Sequence, residues 1–86
     1  MQDRLKRLKF RAWHRGTREA DYMIGGFFDR YAAEWSEEEL RWYETVVEED
    51  DVDIMSWALG TGEPPAHLDN PPPIAAMRRL DYIPLP

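Results

Sequence analysis

Every convincing apolar pattern in this chain repeats at the spacing of a helix, and the longest is interrupted by two glycines. Ala20, Met23, Ile24, Phe27, Phe28, Tyr31 and Trp35 fall three or four positions apart on one wide face. That is the period of a helix buried along one side, and it predicts the central helix of the fold. Gly25 and Gly26 lie inside the pattern. Two adjacent glycines cost a helix interior about 2 kcal/mol relative to alanine. A kink, or a very close contact with another helix, offsets such a cost, and one of the two is expected here.

The flanking segments also read as helices. Leu5, Leu8 and Ala12, with Trp13 beside them, predict a first helix over about residues 3–14 whose other faces are basic. Phe10 lies off that apolar face. Gly16 separates it from the central helix. Ser36 with Glu39 three positions on forms a capping box, and the acidic first turn that follows suits the helix dipole. Leu40, Tyr43, Val46 and Val47 then supply a buried stripe, with Trp42 at its edge. Asp50 or Asp51 caps a short fourth helix carrying Ile54, Trp57 and Ala58, and Gly60 suits its C-terminal end. Residues 60–73 read as loop, because three consecutive prolines do not fit inside a helix. Asn70 or an early proline opens a last helix with Ile74, Met77 and Leu80 inward. No run alternates at period two for long enough to predict a strand. The expected fold is all-α, a compact bundle of about five short helices in one domain. Its core covers about residues 4–83, with a C-terminal tail at 84–86.

Size and composition narrow the function. Eighty-six residues suffice for one small core. With 43% apolar residues the chain has enough to fold around, and without cysteine it has no disulfide or thiolate metal site. An unstapled small domain fits the cytosol, so a cytoplasmic location is expected. The basic N-terminal stretch lacks the apolar core of a secretory signal and runs on into the domain pattern. No apolar run approaches the ~20 residues of a membrane span, so no membrane insertion is expected.

The formal net charge of −6 hides an asymmetry. Residues 1–18 hold seven basic residues against Asp3 alone, whereas residues 34–53 hold ten acidic residues against Arg41 alone. A dipolar domain of this kind steers an oriented protein encounter. Nucleic acid is a poor partner, because the acidic half repels phosphate.

Recognisable catalytic settings are absent from the sequence. His14 and His67 lie far apart, Ser36 and Ser56 read as a cap and a helix-surface residue, and no nucleophile stands in an elbow motif. Asp51-x-Asp53 lacks the glycine and glutamate that a calcium loop needs downstream. Gly60-Thr61-Gly62 has no strand before it and reads as a helix end followed by loop. Most aromatics sit on predicted buried stripes, which leaves Phe10 or Trp42 as a candidate exposed interface anchor.

Arg15-Gly16-x-x-Glu19 stands apart. Its structural role is a tight turn at Gly16, with Glu19 near the N-terminus of the next helix and Arg15 covering its carboxylate. Its functional role uses the same geometry: a glycine leaves backbone bare for a partner's approach, and Arg and Glu beside it offer directional hydrogen bonds. The residues alone leave both roles open.

The order of "RGTREAD", paired phenylalanines, "LRWYETVVEEDDVDIMSWAL" and a Gly/Pro loop resembles the succinate dehydrogenase assembly factor 2 family, whose bacterial members are called SdhE. The resemblance covers about residues 4–68. Where the family often reads Asp-Pro-Asp, this chain has Asp51-Val52-Asp53, and valine is tolerable at the start of a helix. The resemblance implies a small five-helix bundle that promotes covalent attachment of FAD to the flavoprotein subunit of succinate dehydrogenase, or of fumarate reductase. It implies that Arg15, Gly16 and Glu19 engage that flavoprotein near its flavin site. Asp21, Asp50 and Asp51 resemble further recurrent family positions and join the candidate partner-binding set. The implied mechanism is chaperone-like rather than enzymatic. The helper holds a conformation in which a histidine of the flavoprotein meets the flavin, which is catalysis by positioning. FAD is then the partner's cofactor, with none stably bound here, and the free chain is expected to be a monomer. The alternative is a regulatory binding protein, such as the antitoxin partner of a small toxin, working through the acidic face at 34–53.

Overall fold

Residues Met23 to Phe28 are all buried on α2 (Arg18–Tyr31), the element around which the rest of the chain is arranged. The computed structural model describes residues 2–83, so the tail expected at 84–86 lies outside the described residues. α1 (Gln2–Trp13) precedes α2. A 3-10 turn (Ala32–Glu34), α3 (Glu37–Val46), α4 (Asp51–Leu59), a second 3-10 turn (Ala66–Leu68) and α5 (Pro71–Arg78) follow it. No strand occurs among the described residues, and the fold is all-α as the helical periods predict. α1 packs along α2, and α4 packs against both α2 and α5.

Local chemistry sets most of the helix ends. The Thr17 hydroxyl accepts from the Ala20 amide at 3.2 Å and starts α2. Ser36 forms the full capping box of α3: its hydroxyl accepts from the Glu39 amide at 3.1 Å, and Glu39 accepts from the Ser36 amide at 2.9 Å. Such a cap is worth about 1 kcal/mol. Gly60 ends α4 in the left-handed conformation at φ 77°. Pro71, Pro72 and Pro73, expected in the loop, instead form the first turn of α5, where the missing amide hydrogens have no helical acceptor to lose. The expected aspartate cap of α4 takes a different form. Asp50 occupies the N-cap position without a side-chain cap bond, and Asp51 is engaged elsewhere.

The adjacent glycines serve close approach. A β-carbon at Gly25 would stand 2.5 Å from Cδ2 of Trp13, so the indole of α1 lies flat against the α2 backbone. A β-carbon at Gly26 would stand 2.9 Å from the Tyr82 carbonyl oxygen, where the C-terminal segment crosses α2. Below this contact lies an aromatic cluster. Phe27 is fully buried and packs within 6.0 Å, ring to ring, of Tyr31, Trp35, Tyr43 and Tyr82. Its polar edges are satisfied: the buried Tyr43 hydroxyl donates to the Ile24 carbonyl at 2.6 Å, and the Trp42 indole donates to the Leu68 carbonyl at 2.8 Å. Burial pushes the Tyr43 phenol well above its usual pKa and keeps it neutral.

Several side chains depart from the sequence expectation. Leu5 is 40% exposed rather than inward, while Leu8 and Ala12 are buried. Leu80 is only half-buried; it turns the chain at φ 56° after α5. Trp35 lies beyond the end of α2, after the 3-10 turn, yet still packs on Phe27 and Phe28. Trp42 is buried, and Phe10 is the exposed aromatic of that pair.

The two charged halves of the sequence meet inside the fold. Arg4 binds Glu37 at 2.8 Å and Glu44 at 2.7 Å, and Arg11 binds Glu48 at 2.8 Å. α1 therefore clasps α3, and part of the dipole read from the sequence is neutralised internally. These arginines hold Glu37, Glu44 and Glu48 below the usual carboxylate range, chiefly through the hydrogen bonds they donate.

Two measurements test this packing. Gly25→Ala improves helix propensity but drives a methyl into Trp13, and is expected to destabilise the fold by about 1–2 kcal/mol in urea unfolding. A carboxylate whose folded pKa is depressed contributes stability that is complete above its unfolded value. That stability is lost as pH falls through the folded value. The urea midpoint is expected to be level from about pH 7 to 5 and to drop below about pH 4, with Arg4→Gln flattening the acid limb.

Candidate functional site

The turn between α1 and α2 is held from two sides by Arg15. Its backbone amide donates to Asp21 Oδ1 at 2.7 Å, which ties the turn to the first residues of α2. Its guanidinium crosses to the α3–α4 junction. There Nε donates to Asp51 Oδ1 at 2.7 Å, one terminal nitrogen donates to the Val47 carbonyl at 2.9 Å, and the other donates to the Glu49 carbonyl at 2.9 Å. A further bond of 3.3 Å reaches the Arg11 carbonyl at the end of α1. The Arg15 side chain is only 10% exposed. A planar fork with five donors matches this set of acceptors, and the ammonium of lysine does not.

The sequence-predicted residues therefore divide. Arg15, Asp21 and Asp51 come together in one internal network. Arg15 pairs with Asp51 and does not cover the Glu19 carboxylate. Glu19 is exposed in the first turn of α2 and makes no hydrogen bond or ion pair among the described residues. Asp50 is exposed at the start of α4. Gly16 is exposed at φ 111°, with nothing within 4 Å of where a β-carbon would stand. Its conformation is one that other residues adopt only under strain. The outcome is a rigid turn whose outer side is bare backbone.

That turn forms one wall of an open groove of about 580 Å³, lined by Trp13, His14, Gly16, Arg18, Asp21 and Tyr22. The Trp13 indole nitrogen is buried and has no hydrogen-bond partner. His14 stacks on Phe10 with ring centroids 3.9 Å apart, and its Nδ1 lies 2.7 Å from the Phe10 carbonyl. The sequence offers His14 no catalytic partner, and the structure gives it a stacking one. The signal for the stack was present, since Phe10 and His14 stand four apart on one helix face. The Val47 and Glu49 carbonyls carried no such signal, because any residue type supplies a carbonyl.

Residues 6–81, which include this turn and groove, match the protein family described as "Flavinator of succinate dehydrogenase". The chain belongs to this family. It is 46% identical over 57 residues to the FAD assembly factor SdhE of Acetobacter pasteurianus (strain NBRC 105184 / IFO 3283-01), covering 66% of this chain and 52% of the relative. It is 33% identical over 61 residues to the mitochondrial succinate dehydrogenase assembly factor 2 of Schizosaccharomyces japonicus (strain yFS275 / FY16936), covering 71% of this chain and 43% of the relative. The chain spans about half the length of the curated relatives it matches. No solved structure is significantly similar. The family match takes in all of the candidate partner-binding residues, from Arg15 to Asp51.

Removing the fork tests its structural role. Arg15→Ala leaves Asp51 and three carbonyls without this donor, and is expected to cost about 3 kcal/mol in urea unfolding. Arg15→Lys keeps the charge but not the fork, and is expected to recover less than half of that loss.

Proposed function

We propose that the chain promotes covalent attachment of FAD to the flavoprotein subunit of succinate dehydrogenase, or of fumarate reductase, by binding that subunit and favouring its reactive conformation. The observation that carries this reading is the Gly16 turn: exposed backbone held rigid from within by Arg15, inside the region that matches the flavinator family. The exposed Glu19 carboxylate and the bare backbone at Gly16 make the partner contact. Arg15, Asp21 and Asp51 act one step behind them by fixing the turn. Asp50 extends the exposed surface across the neighbouring junction. A rigid surface loses little conformational freedom on binding, which suits a protein that works by holding another in one shape.

In this reading the chain is no enzyme by itself. It supplies positioning, and FAD is the cofactor of the partner rather than a stably bound group here. It acts in the cytoplasm and is a monomer when free. None of its helices, among the described residues, is long and apolar enough to cross a membrane. The alternative, an antitoxin-like protein working through its acidic face, fits less well. Glu37, Glu44, Glu48 and Asp51 of that face are already bound by arginines of this chain.

Deleting the gene is expected to remove covalent flavin fluorescence from the succinate dehydrogenase flavoprotein in denaturing gels; unchanged fluorescence would sink the proposal. Complementation then isolates the turn. Gly16→Ala and Gly16→Arg carry the same backbone strain, about 1–3 kcal/mol, but only arginine adds bulk to the outer side. Both are expected to fold, and only Gly16→Arg is expected to leave the flavoprotein unflavinylated. Glu19→Ala is expected to lower flavinylation without loss of helicity by circular dichroism.

A further inference from the structure

Trp13 is the last residue of α1, and the turn that carries Gly16 begins directly after it. Its indole lies on the backbone of Gly25. A β-carbon there would stand 2.5 Å, 2.6 Å and 2.7 Å from Cδ2, Cε2 and Cγ, three atoms of the pyrrole half of the ring. Tyr22 meets the same ring edge-on, with centroids 6.1 Å apart. The indole nitrogen is buried and has no hydrogen-bond partner. Buried donors normally find an acceptor. This one has none, so no directional bond holds the ring, and packing alone sets its place.

The turn is short enough to pass that placement on. Only His14 to Thr17 separate α1 from α2. Arg15 ties this turn to the α3–α4 junction. Trp13 ties the end of α1 to the middle of α2, from a different side. A ring that rises off Gly25 lifts the end of α1, and the Gly16 backbone moves with it. Carbon atoms pack at about 3.5–4.0 Å, so a methyl at Gly25 displaces the ring by about 1 Å. A binding constellation tolerates only about 0.5 Å of misplacement. Gly26 provides the contrast. A β-carbon there meets the Tyr82 carbonyl oxygen at 2.9 Å and leaves Trp13 alone. The two glycines open two sides of α2, and only the side at Gly25 leads to the turn.

We infer that Trp13, seated on Gly25, is a positioning residue for flavoprotein binding. It sets where the exposed Gly16 backbone stands, and so acts through the turn. The inference rests on the function proposed above, which makes that turn the partner's contact.

Variants of the full chain test this by their affinity for the purified flavoprotein subunit. The amide proton–nitrogen correlation spectrum of the free chain reads the turn itself. Gly25→Ala is expected to move the Gly16 and Thr17 amide signals and to weaken binding about tenfold or more. Gly26→Ala is the matched control. It is expected to lower the urea midpoint as Gly25→Ala does, while its Gly16 signal and its affinity stay those of the parent chain. Trp13→Phe keeps a ring on Gly25 and removes an N–H that has no acceptor to lose, so it is expected to bind nearly as the parent does. Folded fractions from the urea curves correct each affinity, so lost stability does not register as lost binding. If Gly25→Ala does not fold, Trp13→Leu removes the anchor without adding a methyl and carries the same expectations. An unmoved Gly16 signal in the folded anchor variant overturns the inference, and so does parent-like binding. Equal loss of binding in Gly25→Ala and Gly26→Ala overturns it as well, because general strain then explains both. Weak binding by Trp13→Phe with its Gly16 signal in place would mean that the indole touches the partner directly, which also overturns a positioning role. Each of these leaves the proposed function standing. A parent chain that fails to bind the flavoprotein sinks both this inference and the function beneath it.

Discussion

One guanidinium joins the two halves of the chain. Arg15 leaves the α1–α2 turn and ends among Asp51, the Val47 carbonyl and the Glu49 carbonyl at the α3–α4 junction. Those carbonyls lie past the last turn of α3, where helix geometry leaves acceptors without an internal donor. Arg15 supplies donors to a helix end and a counter-charge to Asp51 in one side chain. Its own amide, bonded to Asp21, closes the other side of the turn. The exposed backbone at Gly16 owes its rigidity to contacts made on its inner side. Motif residues that fix the surface and motif residues that present it are therefore different residues.

The same division runs along α1. Arg4, Arg11 and Lys9 reach across to carboxylates of α2, α3 and the α3–α4 junction, while Lys6 and Phe10 are exposed. A basic helix beside an acidic one could have remained a dipole for steering, and part of it does. The rest becomes a set of partly exposed ion pairs, each worth little alone because water screens it. Their value lies in register: three arginines, counting Arg15, meet acidic partners in chain order, which favours one placement of α1 over its neighbours.

Close approach is the second constraint. Gly25 admits the Trp13 ring and Gly26 admits the Tyr82 carbonyl, so α1 and the C-terminal segment both press on the α2 backbone. Neither contact tolerates a β-carbon without a shift. The helix-propensity cost of two glycines is offset by packing a half-buried tryptophan and a half-buried tyrosine on the α2 backbone, in a chain with few residues to bury. The position of Trp13 also sets the wall of the groove beside Gly16, which links core packing to the candidate site.

The sequence alone determined the helices, most of their ends and most of the core. These are local matters: the 3.6-residue period marks which side is buried, and a cap acts within four residues of its own position. It also marked the Arg15-Gly16-x-x-Glu19 turn as a place of interest, and left open whether the turn was structural or functional. Only the tertiary structure showed which of its residues are bound within the fold and which are exposed. Arg15 finds its acceptors 32 to 36 positions away, and two of them are carbonyls that no side-chain pattern announces. Leu5 and Phe10 likewise look alike as apolar residues on a helix, yet Leu5 was expected inside and stands 40% exposed. Which apolar residues a helix leaves outside depends on the width of the neighbour that covers it. That width is fixed when the helices pack.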